Sequence, residues 1–546
     1  MPAHTLMIQG TASGVGKSLI VTGLCRLFAR QGIACAPFKA QNMSLNATVT
    51  PDGREIGLAQ AIQAEASGLE PDVDMNPILL KPRAHGISQI ILEGRPRGEL
   101  HAERYWEEDR DAAWKVVTDA LRRLRDRFDL VVIEGSGSPA EMNLRERDLA
   151  NMRVAEAADA PVLLVGDIER GGVFASLLGT LHLLPEDERA RVKALIVNRF
   201  HGDRKLFREG VRYLEETSGL PVLGVIPYTP LDIPEEDALD ETRFVRPEFG
   251  AASASGPAFP HDPAILAVVL HPHAANLADL DPFRHVRDVT LRWARRPEDL
   301  AGAAAIVLPG TRNAVDDLAA HRASGLADAI VSRSRNGTVV VGLCGGLQML
   351  GEYLDDPDAL EGALPSRVPG LGLLPIGTRF ETLKRTSRIR GTVCAPDPFL
   401  GGLSVEGFEI HQGRMEPSPE VSPLVRLTER AGTDGEPGTD GVWQSSRLWG
   451  TYMHGIFDSE PFLEAFVSSL NTACEARTQK PRRSVGPCAG EASMSPWLSL
   501  SGQDPRSMRE RRLEAYDHLA DLLADSLDLR LLGAWAGIPG DRLCAP

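Results

Sequence analysis

A strand, a glycine-rich loop and a helix follow one another without a break near the N-terminus. The run TLMIQGTASGVGKSLIVTGL, residues 5–24, places Gly14, Gly16, Lys17 and Ser18 between an apolar strand and a helix with apolar periodicity. Backbone N–H groups of such a loop hold phosphate oxygens, Lys17 can reach terminal phosphates, and the Ser18 hydroxyl can ligate Mg²⁺. The segment therefore predicts an α/β domain that binds a nucleotide.

The apolar pattern divides the 546 residues into two α/β parts. Up to about Pro227, short apolar runs alternate with amphipathic stretches, which is typical of βαβ units and a mostly parallel sheet. The predicted strands are Thr5–Gln9, Leu130–Glu134, Pro161–Gly166, Ala194–Asn198 and Val222–Ile226, and later Ile265–Leu270, Ala304–Leu308, Thr338–Leu343 and Arg447–Met453. The predicted domains are 1–228 and 264–546.

Two stretches depart from this pattern. Residues 229–263 are acidic and then rich in small residues, which indicates a linker. Residues 472–510 are polar and irregular, and we expect an exposed excursion there. Beyond them Leu513, Tyr516 and Leu519 begin an apolar series at helical spacing, so we expect a final helix that docks on the second domain.

Composition and charge exclude several classes of function. Hydrophobic residues make up 43% and charged residues 25% of the chain, as in soluble globular proteins. The net charge of −16 argues against a nucleic-acid partner. No apolar run approaches the ~20 residues of a membrane helix, nothing near Met1 resembles a signal peptide, and the seven cysteines form no CxxC pair. We expect a cytoplasmic protein without a membrane partner; a homo-oligomer is left open.

A second strand–turn–helix motif lies at residues 339–351, VVVGLCGGLQMLG. A tight turn between glycines presents Cys344 at a helix N-terminus, where the helix dipole favours a thiolate. The backbone N–H of Gly345 is then available to stabilise an oxyanion. This pattern predicts a nucleophilic cysteine.

Each motif resembles a known family. The loop Gly10–Ser18 resembles the dethiobiotin synthetase and MinD-like branch of P-loop proteins, which implies ATP use coupled to carboxylate chemistry. The turn at Cys344 resembles the class I glutamine amidotransferases, whose Cys–His pair hydrolyses glutamine to ammonia through a thioester. By this resemblance His454, in LWGTYMHGIFD, is the general base and acid.

The same resemblance identifies an oxyanion loop and exposes one departure. IVLPGTRN, residues 306–313, is similar to the oxyanion loop of the amidotransferases, so the N–H groups of Gly310 and Gly345 are the candidate donors. Triad members of that family carry a glutamate two residues after the histidine, where this chain has Ile456. Either Asp458 or Glu460 replaces it, or a different group orients the histidine.

At the nucleotide end, Glu134 closes a predicted strand at the edge where the phosphate loop also lies. It is the candidate Mg²⁺ ligand beside Ser18. Asn198 ends another predicted strand, at the position where the ligases that this domain resembles contact the adenine base. In those ligases a second acidic side chain binds Mg²⁺, and its position corresponds to a place near Gln60 in this sequence. Glutamine is not acidic, so the second Mg²⁺ ligand stays unassigned.

The motifs taken together resemble the cobyric acid synthase family over about residues 5–470. In order, they are GTASGVGKS, FKAQNMSLNA, AQAIQAEASGLEPDVDMNPILLKP, DIERGGVFAS, LPGTRN, GLCGGLQMLG, GFEIHQGR and YMHGIFD. The resemblance implies a carbon–nitrogen ligase of cobalamin biosynthesis that uses ATP, Mg²⁺ and glutamine, with no prosthetic group. The resemblance further implies a corrinoid substrate, adenosylcobyrinic acid a,c-diamide, which is amidated at the b, d, e and g carboxylates to give adenosylcobyric acid.

Polar residues beside the phosphate loop are the candidates for holding the substrate carboxylate and its acyl phosphate, because both need cationic and amide donors. These are Lys39, Gln41, Asn42, Ser44, Asn46, Asp167 and Arg170. An ordinary solvated loop at 39–46 is the alternative interpretation of five of them.

Three other functions compete with this one. The sister enzyme, cobyrinic acid a,c-diamide synthase, shares both domain types and differs in the segment KAQNMSLN. A cell-wall amidoligase usually divides the two halves between chains. A MinD-like ATPase switch is disfavoured by Ala12, which replaces the signature lysine, and by the domain that carries Cys344.

Overall fold

The computed structural model describes residues 2–82, 87–101, 110–143, 145, 148–234, 263–286, 288–362, 364–418, 420–432, 437–478, 507–539 and 543. Most of the predicted linker 229–263 and of the polar stretch 472–510 lies outside these residues. The chain divides into two compact units, one of Met1–Glu236 with Arg509–Pro546 and the other of Asp237–Met508. In the part of the chain that the structure describes, no helix has both the length and the apolar character to cross a membrane.

The first unit begins with alternating strands and helices. Its strands are β1 (His4–Gly10), β2 (Cys35–Phe38), β3 (Gln41–Met43), β4 (Ala47–Val49), β5 (Glu55–Gly57), β6 (Ile78–Pro82), β7 (Ile87–Leu92), β8 (Arg95–His101), β9 (Leu130–Glu134), β10 (Val162–Asp167), β11 (Val192–Phe200) and β12 (Val222–Pro227). Its helices up to this point are α1 (Lys17–Arg30), α2 (Leu58–Ala66), α3 (Arg110–Arg127), α4 (Met152–Ala158), α5 (Val173–Leu183), α6 (Glu186–Arg189) and α7 (Arg208–Ser218).

Within the described residues, the main sheet of this unit has six parallel strands in the order β12-β11-β10-β1-β9-β2. Both faces are covered: Met7 of β1 enters one hydrophobic core, while its neighbours Leu6 and Ile8 enter the other. This double burial explains the continuous apolar runs in the sequence. Because the strands are parallel, their carboxyl ends meet at one edge, and the phosphate loop follows β1 there.

A smaller sheet, which the sequence pattern did not predict, carries the segment after β2. Its order in the described residues is β3-β6-β7-β8, and β4 and β5 form a separate antiparallel pair beside it. Strands β3, β4 and β5 have only three residues each, too few to show a period-two pattern. These strands fix the chain from residue 41 to residue 57.

The second unit follows a similar plan. Its strands are β13 (Ala264–Val269), β14 (Val289–Ala294), β15 (Ala305–Leu308), β16 (Val339–Leu343), β17 (Tyr353–Asp356), β18 (Ser366–Pro369), β19 (Ile376–Val393), β20 (Ser404–Pro417), β21 (Val425–Arg430), β22 (Thr439–Asp440), β23 (Val442–Ser445) and β24 (Leu448–Thr451). Its helices are α8 (Ala314–Ala323), α9 (Leu326–Arg335), α10 (Gly345–Leu350) and α11 (Glu460–Thr478). A 3₁₀ helix, Leu277–His285, precedes β14.

In the described ranges, the central sheet of this unit runs β14-β13-β15-β16-β24-β23, and β23 is antiparallel to β24 while the others are parallel. A second sheet runs β18-β17-β19-β21-β22, with β20 paired to β19. The predicted α/β class, with one mainly parallel sheet in each of two units, is confirmed.

The last helices, α12 (Met508–Ser526) and α13 (Leu529–Ala536), belong to the first unit. Leu519 and Leu523 lie in the core that contains α1, and a Cβ on Gly23 of α1 would lie 2.5 Å from Leu523 Cδ1. Arg26 Nε of α1 also donates to Asp517 Oδ1 at 2.8 Å. The prediction that this helix docks on the second domain is wrong, because apolar spacing identifies the buried face of a helix and not the core that receives it.

Candidate functional site

The phosphate loop between β1 and α1 depends on glycine and on a neighbouring strand. Gly14 and Gly16 have φ of 71° and 95°, where L side chains are strained. A Cβ on Gly16 would collide with Asn198 Nδ2. That amide nitrogen donates to the Val15 carbonyl at 2.8 Å. Asn198 therefore braces the loop in this structure, and its role as an adenine contact stays a prediction.

Two cations lie at this loop. Lys17 is buried, and its Nζ donates to the carbonyls of Ala12 at 2.9 Å and Gly137 at 3.0 Å. Arg170 reaches over the loop, with Nη2 3.4 Å from the position of a Cβ on Gly14. Asp167, at the end of β10, pairs with Arg199 at 3.0 Å and lies 3.8 Å from Arg170. Asp167 thus orients positive charge rather than facing an anion by itself.

A buried carboxylate, Glu134, connects three elements at the sheet edge. Its Oε1 accepts from Ser18 Oγ of α1 at 2.8 Å and pairs with Lys39 Nζ, also at 2.8 Å. Its Oε2 accepts from Gln63 Nε2 of α2 at 2.6 Å. Burial acts to raise the pKa of Glu134, but the Lys39 ammonium and these hydrogen bonds bring it below the usual value. The carboxylate is therefore charged at neutral pH.

The donors around Glu134 fit a hard cation. No group of three or more His, Cys, Asp or Glu side chains arranged for a metal exists among the described residues. Mg²⁺ usually takes one or two carboxylates together with substrate phosphates, so Ser18 Oγ and Glu134 form a sufficient protein set. Gln63 Oε1 is buried, accepts no hydrogen bond from any residue that the structure describes, and is a third oxygen beside Glu134. Sequence reasoning missed Gln63, which lies one helical turn after Gln60.

The other predicted substrate residues do not form a solvated loop. Asn42, Ser44 and Asn46 are all buried. Asn42 Nδ2 donates to Gln60 Oε1 at 2.8 Å, and the N–H of Asn46 donates to Ser44 Oγ at 3.0 Å. The structure brings Lys39 to Glu134, but it places these three in buried hydrogen bonds, of which one joins β3 to α2 and the other is local to residues 44–46. Gln41 is half-buried.

The second candidate site centres on Cys344, at the junction of β16 and α10. Cys344 has φ 49° and ψ −109°, a strained conformation of the kind that clusters at functional sites. Its neighbours must be glycine: a Cβ on Gly346 would collide with the Leu308 carbonyl, and one on Gly345 would lie 2.5 Å from Thr311 Cγ2. The turn therefore packs directly against the predicted oxyanion loop.

His454 lies beside Cys344 and is oriented by Asp279. Its Nδ1 is 2.7 Å from Asp279 Oδ2, and the N–H of Gly455 donates to Asp279 Oδ1 at 2.8 Å. Burial acts to lower the pKa of His454, but the charges of Asp279 and Cys344 and their hydrogen bonds raise it to about 10. At neutral pH the ring is therefore an imidazolium beside the sulfur of Cys344.

The sequence left three alternatives for the group that orients His454: Asp458, Glu460 or another residue. In the structure it is another residue, Asp279. Asp458 is exposed and Glu460 begins α11, whereas Asp279 comes from the 3₁₀ helix Leu277–His285. Asp279 and His454 are 175 residues apart in sequence. No local motif marks Asp279, so only the fold identifies it.

Gly310 completes the arrangement. A Cβ on it would lie 3.1 Å from His454 Cε1 and 3.8 Å from Cys344 Cβ. In the described part of the chain, no group accepts a hydrogen bond from its N–H. A thiol, an acid/base, an orienting carboxylate and a backbone donor therefore surround one point, which is the set of groups that acyl transfer requires.

Comparisons with known proteins find matches for both halves of the chain. Residues 6–238 match the model of the CobQ/CobB/MinD/ParA nucleotide binding domain, and residues 265–462 match that of the CobB/CobQ-like glutamine amidotransferase domain. A cobyric acid synthase of Sorangium cellulosum is 43% identical over 98% of this chain and 99% of its own length. One of Syntrophobacter fumaroxidans is 40% identical over the same shares. Such identity over nearly the whole length shows that this chain belongs to the cobyric acid synthase family, whose members are glutamine-dependent carbon–nitrogen ligases.

Proposed function

We propose that this protein uses ATP and glutamine to amidate the b, d, e and g carboxylates of adenosylcobyrinic acid a,c-diamide. The observation that supports the proposal is that one chain carries two buried clusters of reactive side chains. One is the buried Ser18–Glu134–Lys39 cluster at a phosphate loop. The other is the Cys344–His454–Asp279 arrangement. ATP activation of a carboxylate and release of ammonia from glutamine are the two half-reactions of an amidation.

In the glutaminase half, the Cys344 thiolate attacks the side-chain carbonyl of glutamine. The N–H groups of Gly310 and Gly345 stabilise the oxyanion. His454, protonated because of Asp279, gives its proton to the departing ammonia. Water, deprotonated by His454, then hydrolyses the thioester to glutamate and regenerates the thiolate.

In the ligase half, a corrinoid carboxylate attacks the γ-phosphorus of ATP and gives an acyl phosphate and ADP. Lys17 and Arg170 supply positive charge at the loop, and Lys39 supplies it beside Glu134. Ser18 and Glu134 would hold Mg²⁺, which neutralises phosphate charge. Ammonia then attacks the acyl carbon, and phosphate leaves to give the amide.

The test is to count amides. We expect the protein, incubated with adenosylcobyrinic acid a,c-diamide, Mg·ATP and glutamine, to lower the substrate mass by about 1 Da at each of four steps, as OH is replaced by NH₂. Each step should release one ADP, one phosphate and one glutamate. Amidation of the fully acidic precursor, with no mass change in the diamide, would instead identify the sister enzyme.

A further inference from the structure

Two histidines outside the Cys344–His454 pair form a buried chain that ends on the oxyanion loop. His271 follows β13, and His321 lies on α8. His271 Nδ1 is 2.7 Å from His321 Nε2, and His271 Nε2 is 3.1 Å from the Pro309 carbonyl oxygen. Both side chains are buried. The reaction described above uses neither of them.

The Pro309 carbonyl determines where the protons of the two histidines lie. A carbonyl can only accept, so His271 Nε2 carries a proton and donates it to Pro309. A neutral His271 then accepts at Nδ1, and His321 Nε2 must be the donor. Burial lowers the pKa of His271 to about 3, with the neighbouring His321 adding to the effect, and burial lowers that of His321 to about 4. Both rings are therefore neutral in the working pH range.

The Pro309 carbonyl and the Gly310 N–H belong to the same peptide group. Because that group is planar and trans, a hydrogen bond that fixes the direction of C=O also fixes the direction of N–H. A glycine has access to more backbone conformations than any other residue, so a peptide before glycine rotates easily unless it is held. The Gly310 carbonyl is held separately, since it accepts from the N–H of Ala275 at 3.0 Å.

We propose that His271, oriented by His321, is a positioning residue that holds the Pro309–Gly310 peptide with its N–H directed at the oxyanion formed on Cys344. The inference rests on the proposed glutaminase reaction. It assigns to the His271–His321 pair the pre-organisation of one oxyanion donor, and the loss of one such donor typically lowers kcat by about 10²–10³-fold.

The test compares His271→Phe with His271→Gln in the full-length protein. Phenylalanine removes the donor to Pro309, and we expect kcat for glutamine hydrolysis to fall about 10- to 10³-fold with KM for glutamine nearly unchanged. The glutamine amide can donate to Pro309 and accept from His321, so His271→Gln should recover most of kcat. His182→Gln, at an exposed histidine of α5, is the matched control.

Two further readouts separate positioning from loss of structure. Alkylation of Cys344 by chloroacetamide, followed on its peptide by mass spectrometry, needs the thiolate but no oxyanion donor, and should keep its wild-type rate in both variants. Should His271→Phe fold poorly, His321→Phe leaves the Pro309 contact in place, and we expect it to lower kcat for glutamine hydrolysis without slowing alkylation.

Three results would overturn the inference: wild-type kcat in His271→Phe, no recovery in His271→Gln, or alkylation that slows in step with kcat. A wild-type protein that does not hydrolyse glutamine would overturn the proposed function together with this inference. Wild-type kcat in the His271 variants would count against the inference alone.

Discussion

At the scale of single residues, the two candidate sites use charge in opposite ways. Glu134 is a buried carboxylate kept ionised by Lys39, and His454 is a buried imidazole kept protonated by Asp279. In each pair, burial alone would remove the charge, and a partner within 3 Å restores it. Such paired perturbations are typical of reactive sites.

We expect Asp279→Asn to lower kcat for glutamine hydrolysis by about 10²–10⁴-fold, because the imidazole loses both its orientation and its compensating charge. The raised pKa of His454 keeps the proton available up to about pH 10. Without the Asp279 charge this pKa falls, so the alkaline limb of the kcat profile should move to lower pH. The measurement is the pH–rate profile of glutaminase activity in both proteins.

Asp458→Asn is the control for this prediction, since Asp458 is the exposed local candidate for the same role. It should retain the wild-type rate and profile. A large loss in Asp458→Asn with none in Asp279→Asn would show that the orienting carboxylate has been misassigned.

At the scale of elements, α12 packs on α1 and completes one hydrophobic core of the first unit. Its Leu523 is fully buried against α1. We expect Leu523→Ala to lower the free energy of unfolding of the first unit by about 2–5 kcal/mol, because it leaves a cavity between the two helices. Hydrogen exchange of the amides in β1 and α1 measures that free energy.

The matched control is Leu206→Ala, since the Leu206 side chain is 85% exposed. Its effect should stay within about 0.5 kcal/mol. Equal protection of β1 and α1 in Leu523→Ala and wild type would contradict the packing of α12 on the first unit.

At the scale of the whole molecule, the two reaction centres should be separable by mutation. We expect Cys344→Ala to abolish amidation with glutamine and to retain amidation with ammonium chloride, because only the glutaminase half needs the thiol. Lys17→Ala should abolish amidation with either nitrogen source, because both depend on ATP at the phosphate loop. Product amides are counted by mass spectrometry.

The control for Cys344→Ala is Cys394→Ala, at a half-buried cysteine whose thiol donates a hydrogen bond to the Pro423 carbonyl. This variant should use both nitrogen sources normally. Loss of the ammonia reaction in Cys344→Ala would mean that Cys344 supports folding or the ligase step. Unchanged turnover in Lys17→Ala would remove the phosphate-loop assignment.

The sequence by itself determined the features that are local in the chain. The glycine spacing around Lys17 and Cys344 indicated strand–turn–helix geometry. The continuous apolar runs indicated parallel strands that are buried on both faces. Tertiary structure decided what depends on contacts between distant segments: Asp279 as the partner of His454, Gln63 as the partner of Glu134, and the first unit as the place of α12. The physical reason is that periodicity and turn chemistry act over a few residues, whereas a buried charge or an apolar helix face accepts any partner that the fold brings to it.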